Sequence, residues 1–184
     1  MIPGNWSHPD KYVRVESERR FLVEALPAGL LDVPFVRISD LYIIGTRLRL
    51  RRIESPIGET LALKLGQKYR AANQRDWQTT MTNFYLNEGE CRVLSSLIGK
   101  MLIKRRYPYQ YAGIHYSIDV FEGPLTRLIL LECEGLGGND LQSIPVPAFA
   151  SREVTGEIAF AGGELAKLSA EEFQQWQASW LDDG

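Results

Sequence analysis

A series of short stretches sets ionisable side chains two residues apart, a spacing suited to gripping a multiply charged anion. In "VRVESERRFLVE", residues 13 to 24, a period of two puts Arg14, Glu16, Glu18, Arg20 and Glu24 on one side and Val13, Val15, Phe21 and Val23 on the other. In "TRLRLRRI" Arg47, Arg49 and Arg51 stand opposite Leu48 and Leu50, and in "LALKLGQK" Lys64 and Lys68 stand opposite Leu61, Leu63 and Leu65. Further on, "IKRRYPYQY" pairs Lys104 with Arg106, "IHYSIDVF" aligns His115, Ser117 and Asp119, and "RLILLECE" pairs Glu132 with Glu134. Clustered cations suit a polyanion, because each charge-assisted hydrogen bond to a phosphate oxygen is worth on the order of 1.5 to 3 kcal/mol before binding entropy is subtracted. The carboxylates suit Mg2+ or Mn2+, hard ions that prefer oxygen ligands and bridge them to phosphate.

The elements that carry these residues are mostly strands. About eight strand-like runs lie between residue 13 and residue 135, separated by turn signals at "SPIGE", "AANQRD" and "FEGPLT". Two segments read as helices. "NEGECRVLSSLIGKMLI" spaces Val93, Leu94, Leu97, Ile98, Met101 and Leu102 helically behind a capping box of Asn87 and Glu90, and "SAEEFQQWQASWL" does so with Phe173, Trp176 and Trp180 behind Ser169 and Glu172. "PAGLLDV" reads as a short helical turn between the first two strands.

In an ordinary sandwich the charged faces would be solvated. The alternative is a sheet closed into a barrel with a polar interior and helices on its apolar exterior. Segregation favours the barrel: the first and last of these strands carry paired carboxylates, and others carry paired cations with few hydroxyl residues to dilute them. A lining of that many cations repels itself unless a polyanion fills it.

Composition adds bounds. The 184 residues are expected to form a single domain, with residues 1–12 as an N-terminal arm and 169–184 as the C-terminal helix. With 21 basic and 23 acidic residues there is no bulk field to attract nucleic acid. The absence of a long apolar run points to a cytoplasmic protein without a membrane partner. Cys91 and Cys133 read as buried reduced thiols.

The succession resembles the CYTH superfamily, the triphosphate tunnel metalloenzymes, whose hallmark is Glu-x-Glu-x-Lys on the first strand. "ESERRF" matches it with Arg20 in the Lys position, followed by Arg49 and Arg51, Lys64, Lys104 and Arg106, Asp119 in "IDVFEG", Glu132 and Glu134 in "LLECE", then "EVTG". The resemblance implies an α+β fold: an eight-stranded antiparallel closed β-barrel with helices packed outside. It implies metal ligation by Glu16, Glu18, Asp119, Glu132 and Glu134, and triphosphate binding by Arg47, Arg49, Arg51, Lys64 and Arg106. Lys104 and Arg20 become the catalytic candidates, and the expected activity is Mg2+- or Mn2+-dependent hydrolysis of inorganic triphosphate or an organic triphosphate. Adenylyl cyclase and thiamine triphosphatase activities occur on the same clamp. Two departures open a further alternative, a non-catalytic or weakly active polyphosphate-binding protein. "TNFYL" offers Asn83 and Tyr85 where the family commonly has a carboxylate pair, and "GEIAFAGGELA" has no base in the tail. His115 reads as a wall residue, "AGGE" as a helix start, and Trp176 and Trp180 as core anchors.

Overall fold

The computed structural model describes residues 13–71, 74–135 and 141–182, so the expected N-terminal arm and His8 lie outside the described residues. The strands are β1 (Arg14–Val23), β2 (Val36–Ile43), β3 (Leu48–Glu54), β4 (Thr60–Tyr69), β5 (Gln78–Tyr85), β6 (Gly99–Tyr111), β7 (Ile114–Phe121), β8 (Ile129–Glu134) and β9 (Ala150–Glu153). The helices are α1 (Glu88–Leu94), α2 (Gly162–Leu165) and α3 (Ala170–Asp182).

Every pairing is antiparallel, in the order β5-β4-β3-β2-β6-β7-β8-β1, and β1 returns to β5 to close an eight-stranded barrel. The closure is short. β1 meets β5 only from Arg14↔Met81 to Ser17↔Gln78, because the far half of the same β1 edge pairs with β9 through Phe21↔Glu153 and Leu22↔Arg152.

Alternation of side chains sorts the two faces. On the outside, Phe21, Val23, Tyr107, Tyr116, Ile118, Leu131 and Cys133 form one apolar cluster with Leu30, which sits in the 3-10 turn Leu30–Asp32 expected in "PAGLLDV". Leu50 and Leu63 form a second with Cys91 of α1. Both cysteines are free and buried, as expected. On the inside, one end is apolar: Leu22, Leu102, Phe121 and Leu130 pack with Phe160, Leu165 and Phe173, backed by Trp176 and Trp180. α3 therefore docks as its aromatic spacing indicates, and its cap is the expected one, with Ser169 and Glu172 exchanging hydrogen bonds of 2.7 and 3.2 Å. "AGGE" does start a helix, α2. Among the described residues no helix is long and apolar enough to cross a membrane.

One expected helix is cut short. α1 keeps its Asn87/Glu90 capping box but ends at Leu94, and residues from Gly99 onward extend as β6. Gly99 lies against β2, where a Cβ would come within 2.6 Å of Leu41 and 2.7 Å of the Tyr42 carbonyl, so the backbones approach as strands. Val93 and Ile98, read as parts of a buried stripe, are 70% and 80% exposed. Pairing along the whole length of β2, from Val36↔Arg106 to Ile43↔Gly99, outweighs a helical pattern with little to bury against.

Candidate functional site

The ionisable residues of the strands converge inside the barrel, beyond its apolar end. Register puts Glu18 opposite Glu134 and Arg20 opposite Glu132 across β1 and β8, Arg106 opposite Asp119 across β6 and β7, and Asp40 opposite Arg51 across β2 and β3. Arg51 in turn faces Lys64 of β4, and Lys64 faces Tyr85 of β5.

On the β6, β7, β8 and β1 wall the charges satisfy one another. Asp119 is fully buried and accepts hydrogen bonds from Lys104 and from both Nε and Nη2 of Arg106, the latter two at 2.7 and 2.6 Å. Arg106 also donates to Glu132. Arg20 gives Nε to Glu132 at 3.1 Å, Nη2 to Glu18 at 2.8 Å and Nη1 to the Phe160 carbonyl at 2.9 Å. Its guanidinium thus holds two carboxylates and ties the network to the segment that fills the apolar end. Lys68 completes the set with a 2.9 Å bond to Glu18.

Burial pushes the Lys104 ammonium below the usual lysine range, against the pull of Asp119. Arg106 goes the other way: burial opposes its charge, but Asp119 and Glu132 hold the proton far more firmly than in water. Burial would raise Glu132, yet Lys104, Arg106 and Arg20 keep it well below the carboxylate range.

The β2, β3, β4 and β5 wall is balanced differently. Asp40, 1% exposed, accepts two bonds of 2.7 Å from Arg51. Burial would raise its pKa, but Arg51 and Arg49 bring it below the ordinary value. Asp40 was not among the residues expected in the site. Arg49 Nε lies 3.8 Å from Asp40, too far for a hydrogen bond, and is a buried nitrogen without a partner among the described residues. Lys64 makes no ion pair with the described residues; its Nζ sits 5.0 Å from the centre of the Tyr85 ring. Arg47 lies in the turn before β3, exposed, with its guanidinium 4.5 Å from the centre of the Tyr69 ring. His115 is exposed at the start of β7.

The carboxylates divide in the same way. Glu18, Asp119 and Glu132 are taken up by cations, whereas Glu16 and Glu134 have no ion-pair partner among the described residues. Burial raises the Glu16 pKa, Lys68 pulls it back, and the negative charges of Glu134 and Glu18 add to the push. Among the described residues no three acidic, His or Cys side chains are gathered to cage a metal ion. The donors fit an ion of another kind, one shared with a phosphate chain: Mg2+ commonly takes one or two protein carboxylates and fills its remaining positions with phosphate and water. Glu16 and Glu134 are the carboxylates free to do so, and a cation there would relieve their mutual repulsion.

These pKa directions fix the response to acid. Asp40 and Glu132 release protons more readily folded than unfolded, so the stability they contribute is complete above the ordinary carboxylate range and is lost as pH falls through it toward their folded values. Urea midpoints are expected to fall steadily below about pH 5. Asp40→Asn should flatten that slope, and an unchanged slope would show that Asp40 is not a source of the acid sensitivity.

The chain is a closed antiparallel barrel with an ion-lined interior, and its fold has solved representatives. No family model matches the sequence, and no curated protein does. The chain shares its fold with the inorganic triphosphatase NE1496: it is 23% identical over 82% of this chain and 93% of that one, at a TM-score of 0.56. A second structure of NE1496, described as a hypothetical protein, gives 22% identity over 84% and 99%, at a TM-score of 0.57.

Proposed function

We propose that the barrel is the triphosphate site of a cytoplasmic enzyme of the CYTH kind, hydrolysing inorganic triphosphate or a related organic triphosphate with Mg2+ or Mn2+. The observation that carries this reading is Arg49, which shares Asp40 with Arg51 and keeps a buried Nε donor unmet, on a wall where Lys64 has no ion-pair partner among the described residues. An unsatisfied buried donor costs about 1 to 3 kcal/mol, more when charged, and the oxygens of a polyphosphate are the acceptors that remove the cost. The shared fold with a triphosphatase supports the same conclusion.

In this reading Arg49 and Lys64 take the non-bridging oxygens of the terminal phosphoryl group, with Arg51 behind them fixed by Asp40. Arg20 and Arg106 keep Glu18 and Glu132 in place, and Lys104, set between Asp119 and the Phe121 ring, adds positive potential from below. Glu16 and Glu134 would hold the divalent ion, which when bound supplies Lewis-acid stabilisation of the phosphoryl oxygens and lowers the pKa of a coordinated water. Catalysis is then chiefly electrostatic positioning on a prearranged set of charges.

Phosphate release from tripolyphosphate, with Mg2+ or Mn2+ and with a chelator, tests the proposal. Metal-dependent release is expected; neither release nor binding would end it. The fifth strand favours a second reading, a binder with little turnover, because Asn83 and Tyr85 stand on the inner face without carboxylates. The two are separated by restoring the acids. Asn83→Glu combined with Tyr85→Glu is expected to raise turnover about tenfold, as an improved metal site helps position the water; no gain means that these positions do not limit hydrolysis.

A further inference from the structure

Arg49 has one large cross-strand neighbour. On the inner face of the barrel Tyr42 of β2 stands directly opposite it, while Gly66, its partner on β4, has no side chain. Tyr42 is partly buried against the cluster that fills the apolar end, and its hydroxyl reaches the tail, where two glycines make its seat. A Cβ on Gly162 would collide with that hydroxyl and come within 3.1 Å of Tyr42 Cζ, whereas one on Gly163 would only touch the ring at 3.5 and 3.6 Å. The same tail is bonded to the opposite wall. The Arg20 carbonyl accepts from the Val154 N–H at 2.8 Å, the Arg20 N–H donates to Thr155 Oγ1 at 2.9 Å, and the Arg20 guanidinium donates to the Phe160 carbonyl. Residues 154–163 thus join Arg20 on the carboxylate wall to Tyr42 on the cation wall.

The phenol also feels its neighbours electrostatically. Burial raises the Tyr42 pKa and Asp40 adds to the push, while Arg49 pulls it back. A neutral phenol oxygen is an acceptor suited to a guanidinium N–H. Arg49 Nε nevertheless stays unmet, so the cation is placed without being spent. Resting on the triphosphate reading above, we infer that Tyr42 is a positioning residue that aims Arg49 at the phosphate chain, and that the tail sets this aim through the seat at Gly162. The tail stretch "GEIAFAGGELA", which has no base of its own, then acts on the anion through Arg49.

Calorimetry of the full chain with tripolyphosphate and Mg2+ tests this. Tyr42→Phe, which keeps the ring and removes the hydroxyl, is expected to weaken binding about tenfold, the loss of one contact to a charged group. In an Arg49→Met background the same change should alter binding by less than about twofold, because no guanidinium is left to aim. Gly162→Ala should weaken binding as Tyr42→Phe does and add little to it, since the atom its methyl meets first is then gone. Gly163→Ala should bind as wild type; neither glycine has a positive φ, so the space beside Tyr42 decides between them. Equal losses from Tyr42→Phe in both backgrounds would show a general disturbance of the barrel, and no loss in the wild-type background would show that Arg49 needs no prop. Either result overturns the inference and leaves the triphosphate site standing wherever the wild-type chain binds tripolyphosphate. Gly163→Ala weakening binding as much as Gly162→Ala would remove the seat from it, and if Gly162→Ala does not fold, the Tyr42→Phe comparison decides alone. If the wild-type chain does not bind tripolyphosphate, both proposals fall.

Discussion

Asp119→Asn is expected to cost about 3 to 5 kcal/mol of folding stability, the range for removing one partner of a buried ion pair. The carboxylate is fully buried and is the shared acceptor for Lys104 and Arg106, themselves held inside the barrel. An amide keeps one acceptor oxygen but turns an N–H toward two cations, leaving Lys104, which is 6% exposed, with neither solvent nor a full counter-charge. The penalty comes from the stranded cations, so Lys104→Met added to Asp119→Asn should recover part of it. Urea unfolding followed by tryptophan fluorescence reads the change, since Trp176 and Trp180 pack at the apolar end and lose that environment on unfolding. Glu153→Gln, which breaks the half-exposed pair with Arg19, is the comparison and should cost no more than about 1 kcal/mol. A loss from Asp119→Asn as small as that would mean that water reaches the network and that the interior is not closed.

The charge network was legible in the sequence because a strand's period of two is unforgiving: once β1, β3, β6, β7 and β8 are recognised, alternate residues must share a face. That is enough to bring together Arg20, Arg51, Lys104, Arg106, Asp119 and Glu132. Asp40 escapes the same reading. In "VRISDLYI" the inward residues are Ile38, Asp40 and Tyr42, and the outward ones include Arg37 and Ser39, so both faces mix polar and apolar groups and no alternation marks the strand. Arg51, with no carboxylate on its own face of β3, was the available hint that an acid must oppose it.

The apolar end departs from the wholly polar interior that was expected, although "FLV" at residues 21–23 carries its mark. An uninterrupted apolar run marks a strand buried on both faces, and Leu22 is the residue that points inward. The error over residues 95–103 has a different origin. Short apolar runs satisfy helical and extended periods alike, and the choice was made by β2, more than fifty residues away, through the close approach at Gly99. Nor does a one-dimensional pattern say which charges are spent. Lys64 and Lys68 look equivalent on β4, yet Lys68 is bonded to Glu18 while Lys64 faces a tyrosine.

That distinction yields the other large effect. Arg49→Met and Lys64→Met are each expected to weaken triphosphate binding by about ten- to a hundredfold, the loss of one charge-assisted contact, and together by roughly the product if the two grip different oxygens. Stability should fall far less than in Asp119→Asn. Arg49 gives Asp40 an attraction at 3.8 Å but also carries a buried donor that the described residues leave unmet, and the two effects offset each other in the methionine variant, so the urea midpoint should change little. Asp40 keeps both bonds from Arg51 in that variant and so is not stranded. Arg52→Met is the control, since its guanidinium lies on the outer face against Glu88 of α1 and should leave binding untouched. Binding lost with stability retained is the mark of a residue kept for its ligand. If Arg49→Met instead unfolds the chain while the remaining folded protein binds triphosphate as before, Arg49 is a structural cation and the anion site lies elsewhere.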